Sequence, residues 1–268
     1  MLRERAAQIG AGVAALLSLP AAFAGAVDPW ADGVVAFSPG ADGNPAYPDP
    51  ATAIGSPERF TGEGTDYFGV VSVFNPPFGG DEIVSLGAGG SLTVRFNEPI
   101  TNDPAHAYGV DLIIFSNGFF IDEAWPAGVV GGRFTTGTMR VRVSQNGVDF
   151  HDAGVFDPSL YPTQGYRDVG PYSATPGDDP TEFLRPLNPS LTFADYQGQS
   201  LGGVLSLYDG SGGGIPVDIA GAGLSSVNFV RVEAAGGVVQ VDAFATVPEP
   251  SSLLAFGLFG WRALWRRG

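Results

Sequence analysis

Through the middle of this 268-residue chain, apolar residues recur at every second position or in short unbroken runs, and no stretch repeats them at helical spacing. Ser91-Leu92-Thr93-Val94-Arg95-Phe96 sets the pattern. Leu92, Val94 and Phe96 fall on one side of an extended strand and Thr93 and Arg95 on the other. Thr138-Met139-Arg140-Val141-Arg142-Val143-Ser144 alternates in the same way, with both arginines expected outward. It leads into Gln145-Asn146-Gly147-Val148, where Asn-Gly signals a hairpin returning through residues 149–155. Val110-Asp111-Leu112-Ile113-Ile114-Phe115 is instead almost continuously apolar, as a strand covered on both faces requires.

Further strands are expected at residues 34–37, 70–73, 83–86, 226–233 and 238–245, about nine in all. Forty glycines and 22 prolines supply the turns between them. Residues 156–203 read as one long polar, proline-rich loop, a length that in a compact domain accompanies function or poor order. The pattern predicts an all-β fold over residues 27–246, an antiparallel β-sandwich of jelly-roll type.

The two ends are different in kind. Residues 1–26 carry Arg3 and Arg5, an apolar stretch over 9–19, Pro20, and small residues at Ala22, Ala24 and Ala26. This is the order of a secretion signal removed by signal peptidase, and its apolar part is short for a membrane span of about 20 residues. Residues 247–268 open on Val247-Pro248-Glu249-Pro250 and continue into an apolar helix over 251–265. Arg262, Arg266 and Arg267 give that helix a basic end. Fifteen helical residues reach about 22 Å, short of a hydrocarbon core of about 30 Å, so the helix is a weak transmembrane anchor. Its arginines place that end in the cytoplasm and the body on the far side.

Motif, helix and basic cluster in this order are similar to the PEP-CTERM sorting signal of Gram-negative bacteria. The resemblance implies cleavage near Pro248-Glu249-Pro250 by an exosortase, after transient inner-membrane anchoring. It also implies delivery of the body to the cell surface or extracellular matrix, in the setting of exopolysaccharide and biofilm. The interruption of the apolar helix by Arg262 departs from the pattern.

Charge narrows the partners. All 13 basic residues are arginine; eight fall in the body, against 26 of the 28 acids, for a net charge near −18. Such a surface repels phosphate backbones, which speaks against nucleic acid, and draws cations. The chain has no cysteine, so an exported body must rely on its core and on any bound metal.

The body further resembles galactose-binding-like (discoidin-type) sandwiches. Residues 84–91 (Val-Ser-Leu-Gly-Ala-Gly-Gly-Ser), 111–115, 143–150 and Asp242-Ala243 carry the likeness, chiefly in turn and core chemistry. The resemblance implies a carbohydrate-binding scaffold that often holds a structural calcium ion.

Several constellations could carry chemistry. Gly198-Gln199-Ser200-Leu201-Gly202 has the outline of a nucleophile elbow, but both histidines precede it and no helix is expected after it. His106 and His151 have no partner at zinc-ligand spacing, and His151 is expected in solvent. Asp122-Glu123 and Asp178-Asp179 with Glu182 are paired carboxylates of the kind a glycosidase uses, or solvated loop charge. For calcium, Asp111, Asn117, Glu123 and Asp242 offer oxygen ligands on or beside strands. Asp242 is buried and in need of a partner if the Phe244 face is the core, and exposed otherwise.

Trp125, Tyr161, Tyr166 and Tyr172 fall in expected loops, as do Tyr196 and Tyr208. The first four are candidate carbohydrate platforms, or pins that fix loops to the body. Together these features predict a non-enzymatic surface or matrix protein binding exopolysaccharide, with calcium as its cofactor. The alternative is a secreted hydrolase using loop carboxylates.

Overall fold

The computed structural model describes residues 28–134 and 137–248. The signal segment, Glu249, Pro250 and the apolar tail with Arg262, Arg266 and Arg267 lie outside them, as do the two expected flanking helices. Among the described residues no helix is long and apolar enough to cross a membrane.

In chain order the strands are β1 (Gly33–Ser38), β2 (Phe60–Thr61), β3 (Gly69–Val70), β4 (Val84–Leu86), β5 (Ser91–Thr101), β6 (Leu112–Ser116), β7 (Phe119–Asp122), β8 (Val130–Phe134), β9 (Gly137–Ser144), β10 (His151–Phe156), β11 (Ile215–Val217), β12 (Ser226–Gly237) and β13 (Val239–Thr246). One sheet has the order β1-β5-β12-β9-β10 and the other β11-β6-β13-β4, with β2–β3 and β7–β8 as two-stranded additions. All pairings between these strands are antiparallel.

The winding follows from which strands pair. β4, β5 and β6 run one way and pair in turn with β13, β12 and β11 running back. The paired ribbon therefore crosses between sheets twice. At one corner the Ala234 N–H donates to the Gly90 carbonyl (3.1 Å), and at the other the Asn102 N–H donates to the Ser225 carbonyl (2.9 Å). A ribbon folded over in this way is a jelly-roll sandwich.

Leu92, Val94, Val141, Val143, Val230 and Val232 from the first sheet meet Val84, Leu86, Leu112, Ile114, Val241 and Phe244 from the second in one buried core. Each such side chain contributes about 1.5–3 kcal/mol through burial. The unbroken run in β6 is covered on both sides as expected. Leu112 and Ile114 face this core, and Ile113 and Phe115 face a second cluster with Phe183, Ala243, Ala245 and Val247.

Two expectations need correction. Thr93 is buried rather than facing water, because Arg231 lies over it and donates Nε to its hydroxyl (3.0 Å) while stacking on Phe150. The Asn146-Gly147 turn closes the β9–β10 hairpin as expected, within a loop over 145–150. Asn146 Oδ1 accepts from the N–H groups of Val148 and Asp149 (2.9 Å each).

The larger correction concerns residues 156–203, which form a layer fastened to the body. Phe183, Leu187 and Tyr196 are buried, and the Arg59 guanidinium lies 3.9 Å from the Phe183 ring while donating to the carbonyls of Thr181 and Gly165. Two short helices occur, α1 (Phe193–Tyr196) and α2 (Leu201–Tyr208). In α2 the buried residues Leu201, Val204 and Tyr208 stand three and four apart. Two turns are too few for that period to be visible beside Gly202 and Gly203. Tyr196 and Tyr208, expected in loops, are thus core residues.

Candidate functional site

The β7–β8 hairpin ends in a tip, residues 123–129, organised by one side chain. Asp122 accepts hydrogen bonds from the N–H groups of Ala124, Gly128 and Val129, each at 2.9 Å. A fourth donor comes from the excursion: the Tyr172 hydroxyl reaches Asp122 Oδ2 at 3.1 Å. Partial burial works against the ionised Asp122 carboxyl, but these four donors together hold it below the usual carboxylate range. Burial first, and then the Asp122 charge, push the Tyr172 hydroxyl well up. Gly128 has φ +77°, and a Cβ there would stand 2.9 Å from Pro171 and 3.2 Å from Phe74. The tip and the 171–173 turn therefore fit only around glycine.

The same frame presents Trp125, 74% exposed, with its ring 6.4 Å from that of Tyr172 at an interplanar angle of 53°. The peptide between Trp125 and Pro126 is cis. The turn that carries Tyr172 is also hydrogen-bonded to the end of β3 and the residues just after it. Ser72 donates its hydroxyl to the Pro171 carbonyl (2.7 Å), and the Val70 N–H donates to the Ser173 carbonyl (2.8 Å).

Directly before β3 come Tyr67 and Phe68, both exposed. Phe68 stacks on Phe60 (5.6 Å, 23°), which meets the edge of Tyr166 (6.1 Å, 65°). The second aromatic group is thereby joined to the first through the hydrogen bonds of Ser72 and Val70.

Of the four aromatic residues expected at a carbohydrate site, the structure brings Trp125 and Tyr172 into one exposed pair and puts Tyr166 half-buried beside Phe60. Tyr161 is a correction: it is 8% exposed and packs into the main core, where it holds the excursion down. Sequence reading missed Tyr67, Phe68 and Phe60. A Tyr-Phe pair in a Gly-rich loop gives no sign by itself of whether it is buried.

The four calcium candidates do not converge. Asp111 lies fully buried just before β6, Asn117 is half-buried in the turn after β6, Glu123 is exposed at the hairpin tip, and Asp242 is buried in β13. Asp111 and Asp242 are about four residues apart along paired strands, roughly 13 Å. Among the described residues no group of three or more His, Asp or Glu is placed to hold a metal ion.

Asp111 is instead a structural hub. It accepts from His106 Nδ1 (2.9 Å) and from the N–H groups of Asp103 (3.0 Å) and Ile219 (3.1 Å). Asn117 borders a pocket of about 10 Å³ with Phe134, Ser159 and Gln240, room for one water.

One carboxylate in each of the two acidic groups has a structural partner. Asp122 holds the tip, and Asp179 pairs with Arg167 (2.5 Å) on the surface. A helix does follow Ser200, contrary to expectation, and the Ser200 hydroxyl accepts from the Gly203 N–H (3.3 Å) as its N-cap. His151 is exposed on β10, as expected.

No protein family matches this chain, and no curated protein matches it either.

Proposed function

We propose that this chain is an exported cell-surface or extracellular-matrix protein whose jelly-roll body is non-enzymatic and binds polysaccharide through the Trp125–Tyr172 pair. The observation that carries the reading is a large, exposed indole held on a rigid turn by a carboxylate with four donors. Apolar sugar faces stack on such rings at little conformational cost. Tyr67 and Phe68, joined to the same turn, lengthen the surface toward what a polymer chain needs. The net charge of the body favours neutral or cationic glycans over uronic or sulfated ones.

Export, exosortase processing and the surface address rest on the two terminal patterns. Val247, the first residue of the sorting motif, is buried in the second apolar cluster, so the folded body reaches the motif without a linker. The hydrolase reading is weaker, because Asp122 and Asp179 already have structural partners.

The test is affinity for a panel of soluble polysaccharides. Trp125→Ala is expected to weaken binding to any glycan retained by the native protein about tenfold or more, with Val148→Ala, an equally exposed apolar site, as the neutral control. Equal binding by both variants, or no glycan retained by the native protein, would sink the proposal. For the address, Glu249→Ala in an exosortase-bearing host is expected to leave the tail uncleaved.

A further inference from the structure

Half of the body's arginines gather on one face of an acidic molecule. The five strands of the first sheet carry Arg95, Arg140, Arg142 and Arg231, but only three of the body's 26 acids, Glu98, Asp152 and Glu233. Val94, Val141, Val143, Val230 and Val232 point into the core, so by alternation all four arginines lie on the outward face. Strand register sets them in rows. Arg142 stands directly opposite Arg231, Arg140 opposite Glu233, and Arg95 opposite Phe229. Like charges opposed across a strand pair repel. Glu233 lies 3.2 Å from Arg142 and Asp152 pairs with Arg140, so two carboxylates face four cations. Asp32 and Asp149 border the face and accept from Asn97 and Asn146.

Apolar surface lies between these cations. Arg231 stacks on the Phe150 ring at 3.8 Å, Phe229 is half-buried beside Arg95, and Val155, opposite Arg140, is 50% exposed. Arginine among aromatic and aliphatic side chains is the composition of a protein–protein contact, and a flat sheet face suits a broad partner.

The matching surface lies on the other side of the same molecule. Phe183 packs on Phe115 (5.3 Å), against the outward side of the second sheet. The chain leading to it carries Asp168, Asp178 and Glu182, all exposed, and Asp179. A β-bridge between Tyr166 and Pro180 and the bond from the Asp178 N–H to the Asp168 carboxylate (2.8 Å) hold these acids together. Arg167, paired with Asp179, is the one cation among residues 166–182.

We propose that the arginine face of one copy docks on the acidic 168–182 surface of a second copy. The two surfaces are on opposite sides of one sandwich, so the contact is heterologous. Each copy keeps one free surface at either end, and the assembly grows as a chain instead of closing as a dimer. The contact does not depend on glycan binding at Trp125, and Trp125→Ala is expected to assemble as the native chain does.

Sedimentation of the full-length chain in a nonionic detergent, over a concentration series, tests the assignment. At low ionic strength the weight-average mass is expected to climb past that of a dimer. In about 1 M salt, where screening acts within about 3 Å, it is expected to fall toward that of the monomer. Arg95→Glu with Arg140→Gln, and separately Asp178→Asn with Glu182→Gln, are each expected to weaken association about tenfold or more. All four positions are on the surface, and an unchanged Tm checks that both variants fold. Mixed in equal amounts, the two variants keep one competent contact between them and are expected to stop at a one-to-one pair. The apolar tail is the same in every sample, so growth that ignores salt and both variants would overturn the proposal. A native chain that stays monomeric, or one that stops at a dimer, would also overturn it. So would a uronic polysaccharide retained through the arginine face without self-association, which would assign that face to a polyanion.

Discussion

The Tyr172 hydroxyl donates to Asp122 across 50 residues of sequence, and that bond fastens the long excursion to the hairpin tip that presents Trp125. Removing the carboxylate orphans three backbone N–H groups and the hydroxyl together. Asp122→Ala is therefore expected to cost about 2–4 kcal/mol by urea unfolding and to lower glycan affinity with Trp125 still in place. Tyr172→Phe keeps the ring and loses one bond, so about 1 kcal/mol and a small loss of affinity are expected. The pH dependence follows from the lowered carboxyl of folded Asp122. Its stabilisation is complete above the unfolded value of about 3.9 and is lost as pH falls through the folded value. Glycan binding should stay level from pH 7 to 5 and decline only in stronger acid. A decline centred near pH 6 would mean that another group controls the tip.

Two buried tyrosines separate burial from bonding. Tyr208 and Tyr196 stand 6.3 Å apart at 73°, and both are sealed from solvent. The Tyr208 hydroxyl donates to the Pro162 carbonyl at 2.8 Å, whereas the Tyr196 hydroxyl is buried with no hydrogen-bond partner. Tyr208→Phe should lower stability by about 1–2 kcal/mol, and Tyr196→Phe should leave it unchanged or raise it by up to about 1 kcal/mol. Urea midpoints with equal m-values decide the matter. Equal losses from both would show that Tyr196 has a partner.

Ser200 sits in a pentapeptide with the outline of a nucleophile elbow and acts as a helix cap. Ser200→Ala is expected to cost about 1 kcal/mol, and Ser200→Asp, which also caps and favours the positive helix end, to restore it. A serine whose only task is capping tolerates aspartate; calorimetry on the two variants tests this.

The fold was largely legible because period-two patterning survives even in short strands. Leu92, Val94 and Phe96 are buried as their spacing requires, and the β6 run has a cluster on each face. What escaped was whatever depends on a residue far away in sequence. Thr93 is covered by Arg231, and Asp122 receives its fourth donor from Tyr172. The bulge at Asp242 escaped for a different reason. It breaks the alternation that the rest of β13 obeys, so Gln240 and Phe244 do not share one face with it. The aromatic platform was half legible: Trp125 and Tyr172 met, while Tyr161 was drawn into the core by an excursion that packs instead of hanging free.

Asp111 is the buried charge on which one end of the sandwich depends. Its side chain gathers His106 and the N–H groups of Asp103 and Ile219, and its backbone carbonyl accepts from Val247 N–H at 2.9 Å. Asp111→Ala removes the acceptor for three donors and is expected to cost about 3–5 kcal/mol. Its pH effect has the sign opposite to that of Asp122. Burial outweighs the three hydrogen bonds and the His106 contact, so the folded carboxyl lies above its usual range. Between the unfolded value of about 3.9 and that raised value, the folded chain holds the extra proton, and stability falls as pH rises through the window. Asp111→Asn cannot titrate, so its stability curve should be flatter across that window. Asp242 titrates in the same sense, which makes the comparison with Asp111→Asn cleanest in an Asp242→Asn background. Parallel curves there would mean that His106 and the two N–H groups offset burial, and that Asp111 stays ionised throughout.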